Sequence, residues 1–398
     1  MKTGIPVGAV VVQARKTALV LSGGGARAAY QVGVLKAIAE IAPACRGGQR
    51  SNPFPIICGT SSGAINAAMM ASHADHFDRG VQKLEQLWGN LRSEQIHRVG
   101  YMELIGSTLK LFGSFFRSGI AHGRPLSLFN NTPLNHLLIE NIDLQFLPGL
   151  IKAGYLHALC ITALGYQTGR SISFFQGDDA AKPWQRRRRT GIRSAITHKH
   201  LMASAALPAI FPAVKINKEY FGDGAIRQTA PMSAALHLGA DRLMVIGVSG
   251  SRYANTARDN TEHAALPSHS PSIAQIFAQL LNSAFIDSLE EDLDMLQRFN
   301  RFIEEVDAVK RQQLAMKPIE VLMISPSVRF DELAANHIAE LPNAMRVFLK
   351  TIGATRKGGG PGIASYLLFE SGYCSELMRY GYQDCMAQSE NVAAFLSG

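Results

Sequence analysis

Three short segments combine glycines with a serine, an arginine or an aspartate in spacings that could do chemistry. Gly59-Thr60-Ser61-Ser62-Gly63 places Ser61 at the centre of a G-x-S-x-G pattern. On a sharp turn from strand to helix, such a serine presents its hydroxyl at a helix N-terminus, and the flanking glycines let strand and helix pack closely. A G-x-S-x-G run also arises by chance as a plain turn, so its surroundings matter. The apolar run Pro55–Cys58 precedes it and the small-residue run A-I-N-A-A-M-M-A follows, which are the expected strand and helix. The second segment, Gly23-Gly24-Gly25-Ala26-Arg27-Ala28, has two readings. Gly23-x-Gly25-x-x-Ala28 fits the dinucleotide fingerprint, but that fingerprint requires an acidic residue about 20 positions on. No Asp or Glu lies between Glu40 and Asp75. Alternatively, consecutive backbone N–H groups after a strand form a cradle for a developing oxyanion, with Arg27 adding charge or anchoring the loop. The third segment, Gly222-Asp223-Gly224-Ala225, is a turn that can aim a carboxylate inward.

Histidine is the usual partner of a nucleophilic serine, and the chain has 12. Those after Asp223 are His237, His263, His269 and His337, and none sits in a glycine-rich turn. His237 lies in an apolar helical stretch and reads as a packed histidine. His198-Lys199-His200 lacks a cysteine or carboxylate at ligand spacing, so no metal site is expected.

The elements that must hold these residues follow from hydrophobic patterning. Thr17–Leu21 is a short buried strand, and the stretch to Glu40 after the glycine turn has helical spacing. Strands are expected at Pro55–Cys58, near Leu156–Ala163, Ser171–Phe175, just before Asp223, at Arg242–Val248 and at Ile319–Ile324. Helices are expected over much of Arg79–Leu150, with Thr132 as N-cap and Pro133 at the first helical position. A long amphipathic helix is expected over Ser272–Lys310. Strands alternating with helices imply a mostly parallel sheet covered on both faces. Tyr101–Ile120 carries apolar residues near helical spacing, including Leu111, Phe115 and Phe116. It reads either as a helix packed on the core or as an apolar rim that dips into a bilayer.

The chain has 398 residues, 47% hydrophobic and 18% charged, with a formal net charge of +9. That is a globular composition with a basic surplus, which favours anionic partners without choosing among them. The run Arg186–Arg189 reads as a solvated loop, and nothing resembles a nucleic-acid module. The five cysteines show no C-x-x-C pair and are expected to be reduced. The first residues make a poor secretory signal, and no segment is long and apolar enough to span a bilayer. A cytoplasmic protein, peripheral to a membrane, is expected.

Taken together, the three motifs resemble those of the patatin-like phospholipase family, in its bacterial form: G-G-G-x-R/K-G, G-x-S-x-G and D-G-G/A. Ala28 departs from the usual glycine but is small enough for close helix–strand packing. The flank Ala203–Pro212 (A-S-A-A-L-P-A-I-F-P) also resembles the segment before the catalytic aspartate in that family. The resemblance covers about Lys16–Pro326. It implies a three-layer α/β/α fold with a mostly parallel central sheet, and a Ser-Asp dyad without histidine. Ser61 would be the nucleophile, Asp223 the general base, and Gly23, Gly24, Gly25, Ala26 and Arg27 the oxyanion hole. Gly59 and Gly63 would shape the elbow, and Gly222 and Gly224 the base turn. A catalytic domain over 1–330 and a helical C-terminal extension over 331–398, packed on the same domain, are expected. The implied activity is hydrolysis of phospholipid or other acyl-ester lipids without cofactor or metal, with Asp223 partly desolvated. The competing readings are a Ser-His-Asp esterase or thioesterase and a nucleotide-binding oxidoreductase. Head group, acyl position and oligomeric state are not legible.

Overall fold

The computed structural model describes residues 15–96, 127–228, 231–249, 272–313, 317–354 and 360–397. The Tyr101–Ile120 segment, His263 and His269 lie outside the described residues.

Among the described residues ten strands form one sheet: β1 (Thr17–Leu21), β2 (Ile56–Thr60), β3 (Ala158–Gly165), β4 (Ser171–Gly177), β5 (Trp184–Gln185), β6 (Arg189–Arg193), β7 (Val214–Ile216), β8 (Glu219–Asp223), β9 (Arg242–Ile246) and β10 (Glu320–Ile324). The main path runs β10-β9-β1-β2-β3-β4-β6-β5. From β10 to β3 every pairing is parallel. β4 and β8 both pair antiparallel with β3. All five residues of β1 are buried, because helices cover both faces, as a continuous apolar run predicts. Leu19 and Leu21 join the larger core, while Ala18 and Val20 join the smaller core on the opposite face.

The larger core is built on α1 (Ala29–Cys45) and α2 (Ser62–Ser72), with the helices after residue 330 laid against them. The helix Ser371–Met386 crosses α1 at glycines on both sides. A Cβ on Gly33 would lie 1.8 Å from the Met378 carbonyl oxygen, and one on Gly381 would lie 2.1 Å from that of Tyr30. The last helix, Ser389–Ser397, is tied to the sheet through Arg242. That side chain donates to both carboxylate oxygens of Glu320 at 2.8 and 3.0 Å, donates to the Phe395 carbonyl, and stacks on the Phe395 ring. The segment beyond Pro326 therefore shares the core of the part before it.

Most expected elements are present with shifted ends. The expected strand at Leu156–Ala163 runs Ala158–Gly165, and Arg242–Val248 stops at Ile246. The helix Thr132–Asn141 is preceded by Asn131, so Pro133 is its second residue. Thr132 does not cap it: its N–H and hydroxyl both donate to Asn130 Oδ1, at 2.9 and 2.6 Å. The long helix expected over Ser272–Lys310 is interrupted. It runs Ile273–Asn282, widens into a π turn at Ser283–Asp287, continues over Ser288–Glu305, and ends in Ala308–Gln313. The π turn sets Phe285 inward, where it is buried. Arg186–Arg189 lies at the hairpin between β5 and β6, with Arg186, Arg187 and Arg188 exposed as expected.

The crossing of α1 with Ser371–Met386 generates a stability prediction. Gly381→Leu forces a side chain against the Tyr30 carbonyl and should cost about 1–3 kcal/mol or more, read as a lower midpoint of thermal unfolding. An unchanged midpoint would contradict so close a crossing.

Candidate active site

Ser61 follows the last residue of β2 and precedes α2. Its backbone sits at φ 55°, ψ −129°, a conformation that costs a non-glycine residue on the order of 1–3 kcal/mol. The neighbouring glycines make the turn possible. A Cβ on Gly63 would lie 2.4 Å from the carbonyl oxygens of Leu21 and Ser22, and one on Gly59 would lie 2.5 Å from that of Gly63. The strained serine is held by a hydrogen bond from its N–H to Ser204 Oγ at 2.8 Å.

Asp223 reaches Ser61 through strand pairing. β2 ends at Thr60, opposite Thr162 of β3. The next residue of β3, Ala163, pairs with Asp223 at the end of β8. With β4 on the other edge of β3, β8 continues along the edge that β2 leaves. Ser61 Oγ therefore donates to Asp223 Oδ2 at 2.6 Å, and the Ala225 N–H donates to Asp223 Oδ1 at 2.9 Å. Gly224 is required by closeness: a Cβ there would lie 2.2 Å from the Thr162 carbonyl oxygen. At Gly222 a Cβ would meet the Tyr166 hydroxyl at 2.2 Å, so the phenol closes over the base turn. Burial and the Asp223 carboxylate together push the Tyr166 phenol up.

Asp223 is 1% exposed. Burial pushes its carboxyl from 3.8 up to about 7, against the opposing pull of the hydrogen bonds from Ser61 and Ala225. The desolvation expected from the sequence is thus more than partial.

The glycine segment forms a loop and a helical turn after β1. Gly24 N–H donates to Ser62 Oγ at 3.2 Å, tethering the loop to the elbow. Gly25 (φ 57°) opens the turn Gly25–Ala28 and would clash with the Tyr366 carbonyl oxygen, 2.2 Å from its Cβ, if it carried a side chain. The first N–H groups of such a turn have no intrahelical acceptor, so Gly25 and Ala26, expected in the oxyanion hole, need an acceptor from outside the turn. Gly23 lies beneath the Phe285 ring. Arg27 is tied to the segment beyond residue 360. Its guanidinium donates to Ser365 Oγ at 2.7 and 2.9 Å and to the Tyr366 hydroxyl at 3.1 Å, and it stacks on the Tyr366 ring.

Around Ser61 and Asp223 lies a narrow cavity of about 60 Å³. Its wall is apolar apart from a few groups at the dyad, with Trp88, Leu138, Phe211, Phe285, Tyr366 and Phe369 prominent. Three wall residues, Tyr366, Leu367 and Phe369, come from beyond the region where the sequence motifs lie. Nothing in the sequence marked them. Ser204 also went unassigned, although the A-S-A-A-L-P flank that contains it stood out.

His237, His337 and His200 have other partners. His237 stacks on Trp184 and bonds the Ser233 carbonyl at 2.7 Å, as expected of a packed residue. His337 bridges Glu340 and Glu376 at 2.6 and 2.7 Å. His200 packs on Phe174, accepts the Thr197 N–H at 3.1 Å, and is pushed down to about 4 by burial. Among the described residues no group of acidic, histidine or cysteine side chains is arranged to hold a metal.

The raised carboxyl has a consequence for stability. An aspartate whose folded value lies above its unfolded one stabilises the fold only while protonated. That contribution is full below about 3.8 and is lost as pH rises through about 7. The interval corresponds to about 4 kcal/mol. Asp223→Asn, which keeps the shape and removes the charge, should therefore raise the unfolding midpoint at pH 8, with the gain vanishing towards pH 4. A wild type more stable than Asp223→Asn at pH 8 would contradict a desolvated carboxylate.

A family model described as patatin-like phospholipase matches residues 19–236, which contain all three motifs. Similar solved structures include human GIVD cytosolic phospholipase A2 in complex with methyl gamma-linolenyl fluorophosphonate. That likeness has a TM-score of 0.40 at 12% identity over 96% of this chain and 58% of that one. A second structure, with the inhibitor and terbium chloride, gives 0.38 at 10% identity over 96% and 59%. The chain thus spans less than two thirds of the length of those proteins. A search of curated protein sequences returns no match.

Proposed function

The chain belongs to the patatin-like phospholipase family; we propose that it is a lipid acyl hydrolase that works through a Ser61–Asp223 dyad and a covalent acyl-enzyme. The observation that carries this reading is the 2.6 Å hydrogen bond from Ser61 Oγ to Asp223 Oδ2, in an apolar cavity with no imidazole between them. In the first step Ser61 Oγ attacks the ester carbonyl carbon while its proton passes to Asp223 Oδ2. The tetrahedral oxyanion faces the Gly25 and Ala26 N–H groups at the start of the helical turn. Gly24 contributes by holding the loop through Ser62, and Gly23 keeps Phe285 and Ser61 close. Collapse expels the alcohol, which takes the proton from Asp223. In the second step Asp223 accepts a proton from water, the hydroxide attacks the acyl carbonyl, and Ser61 leaves and recovers its proton. A base works best when its pKa lies near the operating pH, which a carboxyl at about 7 satisfies.

The substrate class follows from the cavity: an apolar slot beside Ser61 suits an acyl chain, as in a phospholipid, lysophospholipid or other acyl-ester lipid. No cofactor or metal has a step in this chemistry. The +9 charge supports peripheral contact with anionic lipid, and five unpaired cysteines support a cytoplasmic setting. Among the described residues no helix is long and apolar enough to cross a membrane. The A-S-A-A-L-P flank supports a bacterial-type member. The shared core supports reading 331–398 as part of one catalytic domain with 1–330.

A fluorophosphonate probe and a short soluble ester test the dyad. Wild type should be labelled and active. Ser61→Ala should be neither, and Asp223→Asn should lose at least roughly 1000-fold in rate while remaining folded. Equal labelling of Ser61→Ala, or near-normal turnover by Asp223→Asn, would overturn the assignment.

A further inference from the structure

We propose that Ser204 is a positioning residue for this hydrolysis, its hydroxyl fixing the Ser61 peptide so that Ser61 Oγ points at Asp223; the inference rests on the dyad reading above. Ser204 ends the short helix His198–Ser204 and is 0% exposed. Its Oγ donates to the Thr162 carbonyl oxygen at 2.6 Å and accepts the Ser61 N–H at 2.8 Å. A hydroxyl has one proton and two lone pairs. With the proton committed to Thr162, a lone pair faces Ser61, and both roles are filled at once.

The location adds to the argument. Thr162 is the β3 residue paired with Thr60, the residue before the nucleophile. Ser61 occupies a left-handed φ that its own side chain does not favour, so the orientation of its peptide must be imposed from outside. Two residues beyond Ser204, the Ala206 carbonyl oxygen accepts the Asp223 N–H at 2.8 Å. One three-residue stretch is thus bonded to the main chain of both members of the dyad. Ser204 reaches no reacting atom itself; it acts through Ser61.

Removal of the hydroxyl has a predictable consequence. The Ser61 N–H and the Thr162 carbonyl lose their partner in a dry site, the strained turn relaxes, and Ser61 Oγ leaves Asp223. The hydrogen bond from Ser61 holds the Asp223 carboxyl down against burial, so its loss lets that carboxyl rise further. The groups facing Asp223 are the Ser61 hydroxyl, the Ala225 N–H and, over Gly222, the Tyr166 phenol. Among the described residues no basic side chain contributes to its titration. Loss of the Ser61 bond is then expected to move its titration upward, with no cation among the described residues shifting it the other way.

The test uses the full chain with a short soluble ester, recording kcat, KM and the pH profile of kcat/KM. Ser204→Ala should lower kcat by roughly 10- to 100-fold, leave KM within about twofold, and shift the acid limb of kcat/KM to higher pH. Ser204→Thr, which keeps the hydroxyl, should recover most of the rate and the wild-type limb. Val392→Ala, a truncation on the buried face of Ser389–Ser397 outside the cavity wall, controls for stability and should leave kcat per folded molecule and the limb unchanged. If Ser204→Ala does not fold, Ser204→Cys, of similar size with a weak acceptor, replaces it with the same expected directions. Wild-type kcat and limb in Ser204→Ala, or losses that track only the folded fraction as in Val392→Ala, would overturn the proposal for Ser204 and leave the dyad intact. A wild type that neither turns over the ester nor takes up the fluorophosphonate would instead contradict the dyad reading.

Discussion

A buried carboxylate is the constraint around which this molecule is arranged. Asp223 is buried, bonded to one hydroxyl and one backbone N–H, and raised by desolvation to about 7. In water an aspartate near 3.9 is a weak base. In the proposed dyad this setting would make it a base of useful strength, with no imidazole between it and Ser61. The cost is a buried charge whenever Asp223 ionises, and the surrounding fold must supply the stability that offsets it.

Much of the architecture serves to place two side chains 2.6 Å apart in that dry setting. β2 stops at Thr60 so that β8 can take over the same edge of β3, which brings the ends of two strands together. The elbow glycines let α2 start hard against the end of β1. The helices after residue 330 then seal the site. Arg27 leaves the glycine loop to bind Ser365 and Tyr366, and the helix Gly360–Leu367 contributes Tyr366 to the cavity wall. Burying the Arg27 guanidinium against two hydroxyls and an aromatic face fixes the loop it belongs to. The C-terminal segment is therefore a wall of the site as well as part of the core.

The candidate site is legible where chemistry demands particular residues at fixed spacing. Gly59, Ser61, Gly63, Asp223 and the three glycines at 23–25 stand out because close backbone approach leaves few alternatives. The strand–turn–helix context of Ser61 followed from short apolar runs that both faces of a parallel sheet require. Other features depend on tertiary contacts that local pattern does not encode. The π turn at Ser283–Asp287 interrupts an amphipathic pattern that is otherwise continuous, so the sequence suggested a single helix. The shift of Thr132 out of the cap position turns on Asn130, whose side chain takes both of its donors. Tyr366 and Phe369 reach the cavity through folding of a remote segment, and no motif announced them. Ser204 lay in a recognisable flank, but its role became visible only with its partners Thr162 and Ser61.

The most direct test of the central claim is an infrared titration of the Asp223 carboxyl, taken as the difference between wild type and Asp223→Asn. The account predicts a protonated-carboxyl C=O band at low pH that gives way to carboxylate with a midpoint of about 7. A midpoint near the ordinary aspartate value of about 4 would contradict it, since Asp223 would then be solvated and too weak a base to activate Ser61 unaided.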